Sequence, residues 1–195
     1  SPLVVIDNLF RHEDVDAVVM NNYDAGYKAV MALHAAGHRD IRHITSCVEF
    51  SNGRYRRKGY EAAMDEMKLP FDEDSFWRVT PTVEGAYQDM KQMLASGRKV
   101  PTAFFAGNDI MAVGCVRALQ EAGFRVPDDV SIIGMDDTAL GQACYPPLST
   151  IRVYRQEMGV AAVRTLISIT PQLGHCVVKT ELSVDLIQRS SVKSL

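Results

Sequence analysis

Asn52, Arg56, Asn108, Asp136 and Asp137 each fall in a short segment that follows an apolar run, and each could grip a small polar molecule. Arg56 lies in SNGRYRRKGY near the start of a helical pattern. There a guanidinium can donate two parallel hydrogen bonds to a ligand, or can join Arg54, Arg57 and Lys58 on a solvated basic face. A basic cluster at such a place also suits a phosphorylated ligand. Asn108 opens a helix directly after TAFFA. Its amide can cap that helix or meet a ligand while Asp109 caps. Asp136 and Asp137 follow IIG, where a carboxylate accepts two sugar hydroxyls, binds a metal or initiates a turn. The neighbouring loops supply few further carboxylates, which makes a metal the weakest of the three. As a set, these forked neutral and charged groups fit a hydroxyl-rich small molecule.

Catalytic arrangements are missing from the sequence. It holds no GxSxG elbow, no GxxxxGK(S/T) phosphate loop and no HExxH, and no GxGxxG follows the first strands. His34, His38 and His43 read as exposed or locally capping, and His12 and His175 fall in loops. The chain is therefore expected not to be an enzyme and to need no cofactor. Cys47, Cys115, Cys144 and Cys176 are widely spaced and form no CxxC pair. Zinc has no support, and small buried thiols in a reducing compartment are favoured over disulfides.

The elements that must position these residues follow from the apolar pattern. With 195 residues, 47% hydrophobic and 23% charged, the chain can bury one large or two small cores. A formal charge of -3 gives its surface no general attraction for a phosphate backbone. No run approaches the ~20 apolar residues of a membrane span. SPLVVIDNLF is no signal peptide and reads as a buried strand from its first residues, which suggests that a segment precedes it. Short apolar runs alternate with helical patterns, the mark of βαβ units around a parallel sheet. Strands are expected at 3–6, 15–20, 41–45, 77–79, 102–105, 130–133, 149–153, 176–179 and 182–187. Helices are expected at 23–36, 54–67, from 82 to Gly97, 109–122 and 156–169, and Thr138 to Pro147 reads as a traversing loop. Residues 23–148 make one complete doubly wound layer of four βα units, and the two ends look like pieces of a second.

The segment PTAFFAGNDIMAVGCVRALQEAGFRVPDDVSIIGMDD, Pro101 to Asp137, is similar to the lactose/galactose repressor family. AGHRDIRHI, SNGRYRRKGY and PPLSTIRVYRQEMGVAAVRTL extend the match in family order over nearly the whole chain. The resemblance implies an α/β, periplasmic-binding-protein-like core of two doubly wound subdomains, one complete and one partial. It assigns 1–21 to a fragment of the N-terminal subdomain, 22–150 to the C-terminal subdomain, 151–180 to the return into the first, and 181–195 to a last strand and tail. Arg56, Asn108 and Asp136 match the family's effector contacts, and Phe50 and Asn52 fall where it varies its pocket. The aromatic that many members stack on a sugar ring would fall near Pro81, with Phe76 or Trp77 as substitutes. The implied protein is a cytoplasmic regulator: a homodimer that senses a sugar, a sugar phosphate or a nucleoside between its subdomains, and meets operator DNA through a headpiece absent from this chain. Leu140 and Tyr145 are apolar candidates for the dimer face. The rival is a periplasmic sugar-binding protein of a transport system, with the same architecture.

Overall fold

Parallel strands buried on both faces are written as continuous apolar runs, and AFFA at Ala103–Ala106 is buried at every position. A computed structural model describes residues 2–8, 14–169 and 176–195; His12 and His175 lie outside the described residues. Five parallel strands form most of one sheet: β3 (Ile41–Ser46), β4 (Phe76–Val79), β5 (Ala103–Ala106), β6 (Ser131–Asp136) and β7 (Ser149–Arg152). β9 (Asp185–Ile187) closes it antiparallel to β7, giving the order β4-β3-β5-β6-β7-β9. A smaller parallel sheet holds β1 (Val4–Ile6), β2 (Asp16–Met20) and β8 (Lys179–Leu182) in the order β1-β2-β8.

Helices cover both faces of the large sheet. α1 (Asn22–Ala35) and α2 (Ser51–Glu66) pack together on one side, and α3 (Val83–Ala95) and α4 (Asp109–Glu121) on the other. Side-chain oxygens start three of the four: Asn21 accepts from the Asp24 N–H at 2.7 Å, Thr82 from Gly85 at 3.0 Å and Asn108 from Met111 at 2.8 Å. Gly37, Gly97 and Gly123, just past three of these helices, have φ of 99°, 79° and 90°, the left-handed stop that glycine adopts without cost. α6 (Arg155–Ser168) lies against β1 and β2, and its Met158 and Ala162 join Val18 and Met20 in the cluster that runs under α1 and α2. One apolar core thus spans both sheets.

α1 and α2 meet through two glycines. A Cβ on Gly26 would stand 2.1 Å from the Arg56 carbonyl oxygen, and one on Gly59 would stand 1.9 Å from that of Tyr23. Only hydrogen fits at either place, so backbone touches backbone. The contact fixes where α2 crosses the sheet and where its N-terminal turn projects.

The expected elements are present with shifted ends, and several expectations need correction. Residues 138–147 are not all loop: α5 (Ala139–Ala143) is a single short turn of helix, started by Thr138 Oγ1 accepting from the Gly141 N–H at 3.1 Å. Five residues are too few to show a helical period. α2 begins at Ser51 rather than Arg54, with Phe50 in an extended conformation before it. The last two strands are displaced to 179–182 and 185–187, because apolar Val177 and Val178 draw the reading toward their own positions. His38 and His43 are buried rather than exposed. Among the free cysteines only Cys115 is buried; Cys144 is partly covered, and Cys47 and Cys176 are exposed.

Candidate functional site

In the large sheet β3 connects outward to β4, and the chain then crosses back over β3 to form β5. The loops after β3 and β5 diverge, which opens a crevice at their carboxyl ends, the place where open α/β sheets bind ligands. A cavity of ≈ 320 Å³ lies there. Its walls are Thr45 and Ser46 at the end of β3, the first turns of α2, Gly107 and Asn108 after β5, and Asp7 and Asn8 after β1.

Arg56 is on the second turn of α2 and lines the cavity. Its Nε donates to Asn22 Oδ1 at 2.8 Å and its Nη1 to the Gly107 carbonyl at 2.6 Å. Asn22 in turn donates from Nδ2 to the Met20 carbonyl at 3.2 Å. The guanidinium is therefore held between the end of β2, the start of α1 and the loop after β5. Burial lowers its pKa, and the negative charges of Asp136 and Asp7 oppose that shift. Arg57 is not part of a solvated run. It donates to Glu61 at 2.7 Å, pairs with Glu73, and stacks its guanidinium 3.8 Å from the centre of the Phe76 ring.

Asn108 lines the same cavity and caps α4, so the capping role is met at a position that also faces the cavity. Its Oδ1 serves the helix, and its Nδ2 has no partner among the described residues. Asp109 does not cap. Its carboxylate is buried and accepts from the Thr138 N–H at 2.7 Å, Thr138 Oγ1 at 3.0 Å and Thr150 Oγ1 at 2.7 Å. This ties the first turn of α4 to the turn after β6. Gly134 makes the approach possible, since a Cβ there would stand 2.3 Å from Asp109 Oδ1.

Asp136 stands at that turn with φ of 108°, and Asp137 follows with 52°, a rare conformation for residues with a Cβ. Asp136 is not among the residues that line the cavity, but its carboxyl lies within the field of Arg56 and Arg155. Burial pushes its pKa up to about 6 against the pull of Arg56. Asp137 points away, accepting from Arg152 at 2.7 Å and Arg189 at 2.5 Å. Burial raises the Asp137 pKa, yet the two guanidiniums outweigh it and hold the carboxyl below its ordinary value.

Phe50 is exposed at the rim of the cavity. Asn52 donates from Nδ2 to the Asp7 carbonyl at 2.9 Å and to Asp7 Oδ1 at 3.1 Å, and Ser51 Oγ donates to Asn8 Oδ1 at 2.6 Å. The first turn of α2 is thereby clasped to the end of β1 across the mouth. Phe76 and Trp77 are 4% and 0% exposed and packed in the two halves of the core. Neither can stack on a ligand, and Pro81 supplies no aromatic ring.

Sequence reasoning passed over Asp7 and Asn22 and set His43 aside as exposed. NNYD at 21–24 carried a visible sign, a pair of asparagines where a helix starts, but which of the two would reach α2 depends on the fold.

A periplasmic binding protein-like domain model matches residues 30–192. An HTH-type transcriptional repressor PurR from Histophilus somni is 34% identical over 194 residues, covering 100% of this chain and 58% of its own length. A ribose operon repressor from Haemophilus influenzae is 37% identical over 166 residues, 85% of this chain and 50% of its own. A solved LacI family transcriptional regulator from Enterococcus faecium with bound ribose superposes with a TM-score of 0.87 at 28% identity, over 100% of this chain and 71% of that one. A transcriptional regulator CelR–cellobiose complex gives 0.87 at 27% identity, over 96% and 58%. The chain belongs to the periplasmic binding protein-like family. Within that fold, the chain is similar to solved LacI-family transcriptional regulators. It spans 58% of the length of the first of these curated relatives, and those relatives are transcriptional repressors.

Proposed function

We propose that the chain binds a small hydroxyl-rich effector, of the sugar class, in the crevice between its two sheets, and that it serves a DNA-binding regulator rather than an enzyme. The observation that carries this reading is the position of the cavity: it opens at the switch between β3 and β5 and is lined by Arg56, Asn108, Asn52 and Phe50. Arg56 and the Asn108 amide supply donors, Asp136 supplies the acceptor at their edge, and Phe50 and Asn52 tune the mouth. The subdomain limits we propose are 1–21 and 153–182 for the small lobe and 22–152 with the final strand for the large one, since β7 ends at Arg152 in the large sheet and β8 at Leu182 in the small one. Effector then bridges the lobes and shifts the population toward one closure angle. In the whole protein this shift governs how paired headpieces meet operator DNA in the cytoplasm. Leu140 and Tyr145, 42% and 84% exposed, lie on the face proposed for the homodimer.

A thermal-shift screen of the full chain against pentoses, hexoses, disaccharides, sugar phosphates and nucleosides tests the reading. A ligand at a hundred times its Kd stabilises by about 2.7 kcal/mol, a rise of roughly 5–10 °C for a chain of this size. Arg56→Ala should abolish the rise. A rise that survives Arg56→Ala and Asn108→Ala together would show that the ligand sits elsewhere.

A further inference from the structure

His43 lies on β3 beneath α2 and lines the cavity, although it is only 1% exposed. Its ring is stacked with Phe105, centroids 4.7 Å apart, and with Tyr60 at 5.6 Å. Phe76 meets it edge-on at 6.1 Å. Nδ1 is 3.0 Å from the Phe105 carbonyl oxygen. A carbonyl can only accept, so Nδ1 carries the proton and Nε2 is left with a lone pair. Nε2 is buried and has no partner among the described residues. The bare Cε1–Nε2 edge passes beside Gly107, where a Cβ would stand 3.6 Å from Cε1. Gly107 also lines the cavity. An orphaned acceptor at this depth costs stability unless something donates to it.

We propose that His43 Nε2 is the acceptor at the floor of the effector cavity, and that it selects an effector presenting an O–H or N–H donor to that point. The proposal rests on the reading of the cavity as an effector site and adds a specificity determinant to it. Arg56 and Asn108 offer donors to the ligand; His43 demands one in return. Burial keeps the imidazole neutral at physiological pH, with its pKa lowered to about 4, so the acceptor persists across the working range.

The test is long-range 1H–15N spectroscopy of the full chain with labelled histidine, titrated with D-ribose, D-glucose, cellobiose, ribose 5-phosphate and inosine. In the free protein His43 should show a protonated Nδ1 and a bare Nε2. A probe that raises the melting temperature should move the Nε2 resonance upfield and leave Nδ1 in place. His43→Phe, which keeps the stacking but removes the acceptor, should bind that probe about ten- to a hundredfold more weakly. A probe that binds through Arg56 while Nε2 stays unmoved overturns the role of His43 and leaves the effector site standing. Should His43→Phe fail to fold, the wild-type Nε2 shift decides alone. If no probe raises the melting temperature or moves Nε2, the effector site and the floor acceptor fall together.

Discussion

Replacing Gly59 by alanine should separate α1 from α2, and the size of the effect can be worked out from the geometry. The new methyl carbon would meet the Tyr23 carbonyl oxygen at 1.9 Å, the Tyr27 nitrogen at 2.8 Å and the Tyr23 carbonyl carbon at 2.9 Å. All three are backbone atoms that no rotamer change can move, so the helices themselves must part. Overpacking of this kind costs up to about 3 kcal/mol, while alanine in a helix interior returns about 1 kcal/mol. The net loss is about 2 kcal/mol, a fall in melting temperature of roughly 4–8 °C for a domain of this size. Gly53→Ala is the control on the same helix: no described atom lies within 4 Å of its Cβ, and the change should stabilise by about 0.5 kcal/mol. Thermal unfolding followed by circular dichroism measures both. If Gly59→Ala melts at or above the wild-type temperature, the two helices are not held in backbone contact and the account of how Arg56 is positioned fails with it.

Asp109→Asn should cost about 2–3 kcal/mol in urea unfolding, because an amide cannot accept from all three donors supplied by Thr138 and Thr150; a loss under ~0.5 kcal/mol would remove Asp109 as the anchor of the turn after β6. Asp136 should give a pH signature. Its folded pKa of about 6 lies above that of an unfolded aspartate, so its contribution is fully present below about pH 4 and is lost as pH rises to about 6. With partial exposure discounted, the loss is on the order of 2 kcal/mol. Asp136→Asn should flatten most of that slope in chemical denaturation at a series of pH values, leaving the smaller slope of Asp109, whose pKa burial also raises. An unchanged slope would show that the Asp136 carboxyl is solvated.

Much of the architecture was legible because each βα unit carries its own punctuation. Thr82 and Asn108 before helices, Gly37, Gly97 and Gly123 after them, and runs such as AFFA all act within a few residues. What escaped is non-local. The strand order, which places the crevice, depends on pairings between β3 and β5 some sixty residues apart. Arg56 and Asn108 were visible because loops after strands converge at one edge of a parallel sheet. His43 was misread because a lone histidine in RHITS says nothing of Phe105 and Tyr60, which bury it. That Asp109 is a buried anchor and not a cap escaped for the same reason: its partners lie 29 and 41 residues away. α5 was too short to announce itself.

The buried Asp109 has a consequence for how this core could acquire a new ligand. Its hydrogen bonds join the start of α4, the turn after β6 and β7, and so couple the position of Asn108 to the turn that carries Asp136. The opposite wall is assembled differently, from the first turn of α2 clipped to Asp7 and Asn8 by three side-chain hydrogen bonds. A designer who wished to change the preferred molecule should leave the first wall alone and diversify positions 50 and 52 together with Asp7 and Asn8, where a new shape can be accommodated without unseating the fold.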